Sequence, residues 1–68
     1  MSQTQTYSVT GMTCGHCVAS VTEEVQEIPG VRDVTVTLET GAVTFTSDER
    51  VDDAAVRAAV EEAGYQLA

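Results

Sequence analysis

Two closely spaced cysteines are the residues of this chain best suited to do chemistry. Cys14 and Cys17 are both of its cysteines, and they lie in the run GMTCGHC at residues 11–17 of a 68-residue sequence. Two thiols at this spacing can bind one soft metal ion together or form a redox-active disulfide. The question of function therefore narrows to a choice between a metal site and a redox site.

The number of available ligands favours a metal that accepts few of them. Structural zinc sites take about four protein ligands, and iron–sulfur clusters are commonly held by about four cysteines. The chain has two cysteines, one histidine and two methionines, and only the two thiols have the spacing of a shared site. Cu(I) is soft and favours thiolate ligands. If Cys14 and Cys17 hold a metal, the sequence favours Cu(I).

Four neighbouring residues are candidates for an auxiliary role. Met12 is either a third, thioether ligand or a core residue beneath the loop, and we expect the core role. Thr13 is expected to shape the loop through a local backbone hydrogen bond. His16 is expected to be an exposed imidazole that tunes the thiolates or joins larger metal-bridged species, with a ligand role as the alternative. Tyr65 either directs its hydroxyl towards the loop or packs its ring against Met12.

The periodicity of apolar residues predicts four strands and two helices. Strands are expected where apolar and polar residues alternate, at residues 5–10, 31–38, 42–46 and 65–67. Helices are expected where apolar residues recur at helical spacing. The first covers about residues 16–28, and the second runs from an Asp52 or Asp53 cap to a stop at Gly64.

Each predicted element has a side that should face the core. The second strand is expected to turn Val34, Val36 and Leu38 inward, and the third strand to turn Val43 and Phe45 inward. Residues 39–41 between these strands are expected to form a tight hairpin turn.

The first helix begins within the cysteine motif. Cys17 is therefore expected in its first turn, where the N-terminal end of a helix favours a thiolate and lowers the pKa of the thiol.

The order β-α-β-β-α-β predicts the fold class. Right-handed crossovers in both halves lead to an α+β, ferredoxin-like sandwich, in which a four-stranded antiparallel sheet carries two helices on one face. Residues 1–68 are expected to form one domain, since the sequence contains no linker, repeat or low-complexity segment.

Charge and hydropathy exclude several classes of partner. The net charge is −8, with three arginines and no lysine, so we expect neither nucleic acid nor an anionic membrane surface as a partner. A partner with a basic patch fits better.

There is no apolar run of 18 residues and no secretory signal at the N-terminus, so we expect a cytoplasmic chain that starts at Met1. There, a Cys-x-x-Cys pair is typical of metal or redox sites rather than of structural disulfides.

The motif at residues 11–17 closely resembles the GMTCxxC motif of the heavy-metal-associated (HMA) domain family, and in particular that of small bacterial copper chaperones of the CopZ type. The resemblance extends from about residue 5 to residue 67 and includes the turn at residues 29–31 and the pair Gly64-Tyr65. Thr13 stands where zinc-binding members carry an acidic residue, and Tyr65 stands where animal chaperones carry a lysine. Both features are typical of bacterial copper-binding members.

This resemblance implies a function. Cys14 and Cys17 would bind Cu(I) and pass it to the similar metal-binding domain of a copper-transporting P-type ATPase, and the protein would not be an enzyme. It would be a monomer without metal and form copper-bridged dimers or clusters when the metal is in excess. The alternatives are a metal-binding domain cut from such an ATPase, a mercury-binding protein and, in a different class, a small dithiol oxidoreductase.

Overall fold

Strands and helices follow one another in the predicted order. A computed structural model describes residues 2–13 and 15–68 of the chain. Within that part the strands are β1 (Gln3–Thr10), β2 (Val31–Thr37), β3 (Ala42–Ser47) and β4 (Gln66–Leu67). The helices are α1 (Gly15–Gln26) and α2 (Asp53–Glu62). The order β-α-β-β-α-β is therefore confirmed, and the boundaries differ from the predicted ones by a few residues.

The strands form one antiparallel sheet in the order β2-β3-β1-β4. β1 pairs with β3 over most of its length, from Gln3 opposite Ser47 to Ser8 opposite Ala42. On its other edge β1 pairs with β4 only at its end, where Val9 lies opposite Leu67. Because this sheet carries both helices on one face, the predicted ferredoxin-like α+β class is confirmed.

A single core fills the space between the sheet and the helices. Phe45 and Val43 of β3 are fully buried, as their alternation predicted. α1 contributes Val21 and Val25, and α2 contributes Val56 and Val60, all with no exposed surface. These residues, with Val9 and Val51, form one contiguous cluster. The helices are therefore held to the sheet mainly by small, stiff valine side chains.

The predicted cap of α2 is present. Asp52 has an extended backbone, and its side chain accepts a hydrogen bond from the N–H of Ala54 at 3.1 Å. The cap satisfies one of the backbone N–H groups that the first turn leaves without a helical partner. Asp53 then lies in the first turn, where a negative charge is favourable.

β2 departs from the regular alternation on which its prediction was based. The register of its ladder with β3 shifts between Arg32 and Thr35, and Asp33 within that shift has a φ of 55°. Val34 and Val36 are half-buried on the core side, as predicted. The prediction that Leu38 points inward is wrong, because its side chain is 39% exposed. β2 ends at Thr37, so Leu38 lies in the turn, where strand alternation no longer sets the direction of a side chain.

A buried glutamine links β1 to the segment before α2. Gln5 is only 7% exposed. Its Oε1 accepts from the N–H of Val51 at 2.8 Å, and its Nε2 donates to the C=O of Val51 at 3.0 Å and to the hydroxyl of Tyr7 at 2.6 Å. The Tyr7 hydroxyl in turn donates to Oδ1 of Asp53 at 2.7 Å. Burial, followed by the contact with Asp53, raises the pKa of Tyr7 above its ordinary value, so the hydroxyl keeps its proton for this bond.

The helices are short. Within residues 2–13 and 15–68, neither helix is long and apolar enough to cross a membrane.

The Gln5 contacts generate a prediction about stability. Gln5→Leu keeps a side chain of similar size but leaves the buried N–H and C=O of Val51 without their partners. We expect the free energy of unfolding to fall by about 2–4 kcal/mol, because each buried polar group left unsatisfied costs about 1–3 kcal/mol. Chemical denaturation of the metal-free protein measures this. Gln3→Leu, an exposed position of the same strand, is the control and should change stability by less than about 0.5 kcal/mol. Equal effects of the two substitutions would contradict the structural role of Gln5.

Candidate metal centre

The cysteine motif forms the connection between β1 and α1. β1 ends at Thr10 and α1 begins at Gly15, so we call residues 11–17 the cysteine loop, although its last three residues are helical. Residues 11–13 and 15–17 are described by the structure. The prediction that Cys14 is a metal ligand falls on a residue outside the described part of the chain and stays a prediction.

Cys17 lies in the first turn of α1, as expected. Its side chain is 7% exposed. Val21 and Val25 follow it at spacings of four residues and are fully buried, so all three share the face of the helix that meets the sheet. The Cys17 sulfur therefore lies at the border between the core and the first turn, where helix N–H groups have no partners within the helix.

The two polar neighbours of the cysteines, His16 and Thr13, lie at the surface. His16 is exposed, as expected for an imidazole that is not held in the core. Thr13 is also exposed. Both residues are therefore accessible to an approaching molecule.

Met12 turns the opposite way. It is half-buried and packs against the hydrophobic core, which is the position expected for a methionine that fills the space beneath the loop. Its alternative role as a thioether ligand stays a hypothesis.

Tyr65 is placed by the way α2 ends. Gly64 has a φ of 95°. The N–H of Gly64 donates to the C=O of Glu61 at 2.9 Å, and the N–H of Tyr65 donates to the C=O of Val60 at 3.1 Å. These two bonds are those of a Schellman motif, which requires a left-handed residue that glycine adopts without strain. The motif turns the chain back towards the sheet, so that Tyr65 packs against the core.

The Tyr65 ring lies at the base of the cysteine loop. A Cβ atom added to Gly11 would be 3.5 Å from Cδ1 of Tyr65, which is ordinary van der Waals contact. This position agrees with the predicted packing of the ring, and the role predicted for the Tyr65 hydroxyl stays a prediction. Tyr65 and Met12 pack against the same core, although they come from opposite ends of the sequence.

Sequence reasoning missed a further residue at this end of the domain. The N–H of Val9 donates to the C=O of Gly41 at 2.8 Å, which places the β2–β3 turn beside the end of β1 and hence beside the cysteine loop. Leu38 lies in that turn and is the large hydrophobic side chain that the described part of the chain exposes. The signal in the sequence was its position directly before the turn residues 39–41, which ends the strand early.

Few ligands other than thiols are available. Within residues 2–13 and 15–68, no group of three or more His, Cys, Asp and Glu side chains is arranged to hold a metal ion. The prediction that Cys17 pairs with Cys14 is not affected, because Cys14 lies outside the described residues.

The helices carry a crowded set of carboxylates. The pKa of Glu24 is raised, first by a hydrogen bond to Glu27 and then by partial desolvation and the negative charges of Glu27, Glu62 and Glu23. Because Glu62 belongs to α2, whereas Glu23 and Glu24 belong to α1 and Glu27 directly follows it, the two helices share one negative surface. Such a surface attracts a basic partner and repels an acidic one.

Comparison with known proteins identifies relatives over nearly the whole chain. The model of the heavy-metal-associated domain family matches residues 6–66. The chain is 40% identical over 65 residues to the copper chaperone CopZ of Bacillus subtilis, which covers 94% of each protein. It is 45% identical over 65 residues to copper-transporting ATPase 1 of Rhizobium meliloti. That match covers 93% of this chain but only 8% of the ATPase, so the chain corresponds to a small segment of that relative.

Solved structures agree with these relatives. A structure of a CopZ metallochaperone superposes with a TM-score of 0.89 at 33% identity, covering 97% of this chain and all of that one. Oxidised MerP from Ralstonia metallidurans superposes with a TM-score of 0.87 at 35% identity, covering 100% of this chain and 96% of that one.

The position of Tyr65 generates a prediction that separates its ring from its hydroxyl. Tyr65→Ala removes the ring that packs against the core, and we expect the free energy of unfolding to fall by about 2 kcal/mol, less than for a fully buried aromatic residue. Tyr65→Phe keeps the ring and should cost less. Thermal and chemical denaturation of both variants measure the difference. Equal losses would show that the hydroxyl, and not the ring, accounts for the contribution of Tyr65.

Proposed function

Because the chain belongs to the heavy-metal-associated domain family, we propose that it is a copper(I) carrier rather than an enzyme. One Cu(I) ion is its cargo, held between the sulfur atoms of Cys14 and Cys17. The observation that carries this proposal is the pair of thiols at the loop–helix junction, the second of them in the first turn of α1, in a chain that the family model matches over residues 6–66.

The choice of Cu(I) is supported by ligand chemistry. Two thiolates are a sufficient ligand set for a soft ion, whereas Zn(II) would need further ligands. The relatives from Bacillus subtilis and Enterococcus hirae are both named copper chaperones, and each matches more than nine-tenths of this chain. Thiols that must remain reduced in order to bind the ion suit the cytoplasm, which is the compartment that we propose.

Release of the cargo follows from the small number of ligands. Cu(I) with two sulfur ligands can accept a third, so a thiolate of a partner forms a new Cu–S bond while both original bonds persist. One of the original Cu–S bonds then breaks, and the departing sulfur can take up a proton. A second thiolate of the partner displaces the remaining sulfur in the same way, which completes the transfer. Copper stays Cu(I) throughout, so the exchange needs no oxidant or reductant. The same opening allows two copies of the chain to share copper when the metal is in excess.

The partner that we propose is the metal-binding domain of a copper-transporting P-type ATPase. The chain's 45% identity to a segment of such an ATPase supports a partner of similar shape that carries its own thiol pair. Leu38 offers an exposed apolar contact near the cysteine loop. The carboxylates of the helices offer a charged contact for a basic patch.

A second candidate is that the chain is itself the metal-binding domain of a copper-transporting ATPase. The same 45% identity favours it. An antibody raised against the chain distinguishes the two in extracts of the source organism. A carrier gives a band near 7.2 kDa, whereas an ATPase domain gives a band at the size of the whole transporter.

The site assignment predicts the stoichiometry of copper binding. Under anaerobic conditions the protein should withhold one Cu(I) per chain from a strong competing chelator, and the double variant Cys14→Ser, Cys17→Ser should not, because a hydroxyl is a poor ligand for a soft ion. Circular dichroism establishes that the variant is folded. Met12→Leu is the matched control, since it removes a thioether and keeps the packing, and we expect it to bind as the natural chain does. Copper retained by the double variant would refute the site, and tighter binding of Zn(II) than of Cu(I) would refute the choice of cargo.

The proposed docking contact at Leu38 predicts an effect on the rate of Cu(I) transfer that is separate from any effect on Cu(I) binding. Leu38→Ser should slow transfer of Cu(I) to an ATPase metal-binding domain by roughly three- to tenfold, because a buried apolar contact worth about 1 kcal/mol is lost. Its Cu(I) affinity should not change, since Leu38 supplies no ligand. Transfer should also slow as salt rises, if the acidic helices guide the encounter. Stopped-flow kinetics at two ionic strengths measure both effects. Ala58→Ser, an exposed apolar-to-polar change on α2, is the control. An unchanged rate for Leu38→Ser would remove the β2–β3 turn from the docking surface.

A further inference from the structure

We propose that Gly41, in the turn between β2 and β3, is a positioning residue for the cysteine loop. It contributes no ligand; it fixes the point at which β1 ends and the loop begins. The inference rests on the proposed function, because positioning matters here only if Cys14 and Cys17 bind an ion together.

The turn is tied to β1 by its backbone. The N–H of Val9 donates to the C=O of Gly41 at 2.8 Å, and the N–H of Gly41 donates to the C=O of Thr37 at 2.8 Å. The first bond joins the turn to the strand that leads into the cysteine loop. The second closes the turn on β2, so that a change at Gly41 is not readily absorbed by the turn.

The approach of Gly41 to β1 is too close for any side chain. A Cβ atom at this position would lie 2.4 Å from the carbonyl oxygen of Val9 and 3.6 Å from its carbonyl carbon. Both are backbone atoms, so no side chain can move aside to make room. Gly41 also has a φ of 72°, which favours glycine. Any other residue would therefore push apart the turn and the end of β1.

The other edge of β1 is held at the same level. Val9 and Thr10 lie opposite Leu67 and Gln66 of β4, and the N–H of Ala68 donates to the C=O of Ser8 at 2.8 Å. The end of β1 is thus clamped between the turn and β4. Gly11 follows the last residue of β1. A substitution at Gly41 that displaces Val9 should therefore also displace residues 11–13 and, with them, the cysteines.

Two other glycines provide a built-in comparison. Gly30 has a φ of 86° and Gly64 a φ of 95°, similar to Gly41, but nothing lies within 4 Å of a Cβ at either position. Gly30 follows α1 and precedes β2, at the end of the domain opposite the cysteine loop. A substitution at Gly30 imposes the backbone strain alone, whereas one at Gly41 adds the collision with Val9.

The consequence concerns metal affinity. Two sulfurs share one ion only if their separation is held closely, and binding sites generally need their ligands placed to within about 0.5 Å. Residues that orient ligands without binding the metal typically contribute roughly 10- to 100-fold to metal affinity. A displaced loop end should therefore weaken copper binding without removing a ligand.

The test compares Gly41→Ala with Gly30→Ala. Both should lower thermal stability, because both force alanine into a left-handed conformation. Only Gly41→Ala should weaken Cu(I) binding, by roughly tenfold in anaerobic chelator competition. The amide NMR signals of Gly11 and Met12 in the metal-free protein should likewise shift in Gly41→Ala and not in Gly30→Ala. If Gly41→Ala binds Cu(I) as the natural chain does, or if the Gly11 and Met12 signals stay in place in Gly41→Ala, the inference is overturned.

A chemical variant covers the case in which Gly41→Ala does not fold. The chain is short enough for total synthesis, so the Val9 amide can be replaced by an ester, which removes the donor to Gly41 without adding an atom. The matched control is an ester at Val31, whose N–H donates to the C=O of Ile28 at 3.1 Å. The Val9 ester should lower Cu(I) affinity and shift the Gly11 and Met12 signals, and the Val31 ester should do neither; equal behaviour would count against Gly41.

The outcomes separate the inference from the proposed function. If the natural chain binds no Cu(I), the proposed function fails, and the NMR comparison in the metal-free protein still decides whether Gly41 positions the loop. If the natural chain binds Cu(I) and the Gly41 variant binds it equally well, the carrier function stands and the positioning role fails.

Discussion

β1 lies between β3 and β4, and both of these strands run antiparallel to it. The rest of the structure depends on this placement. β3 pairs with β1 from Gln3 to Ser8, and β4 pairs with its last two residues. The end of the strand is therefore fixed from both sides, and the cysteine loop starts from a defined position. Because β4 is only two residues long, this support is concentrated at the end where the loop leaves the sheet.

Stability is supplied mainly away from the cysteine loop. Seven of the eight residues in the core cluster are valines, and a domain of this size buries a smaller fraction of its surface than a larger one does. The contacts of Gln5 with Val51, and of Tyr7 with Asp53, join β1 to the start of α2. The loop itself can then keep Thr13 and His16 at the surface, where a partner can reach them.

The sequence predicted what depends on local pattern. Alternation identified the core face of β3, helical spacing identified the stripe of α1, and cap chemistry identified Asp52 and Gly64. It did not predict contacts that depend on which backbone atoms meet across the fold. Gln5 reads as an ordinary polar residue because its partner Val51 is 46 positions away. Leu38 was misplaced because hydrogen bonding with β3, and not apolar alternation, decides where β2 ends. The GMTCGHC motif named the candidate ligands, whose role in binding stays a prediction.

In the proposed carrier, holding and releasing a metal ion would place opposite demands on the cysteine loop. Cys17 and Met12 turn towards the core, where packing limits their movement and keeps water away from that side. Thr13 and His16 are exposed, so this part of the loop is open to a partner. Leu38 is exposed in the β2–β3 turn, which is hydrogen-bonded to the end of β1, and the carboxylates of α1 and α2 supply a negative surface of the domain. For the proposed carrier we therefore expect a partner to be drawn by charge and to dock on the apolar contact of Leu38, while the burial of Cys17 limits the movement of its sulfur during transfer.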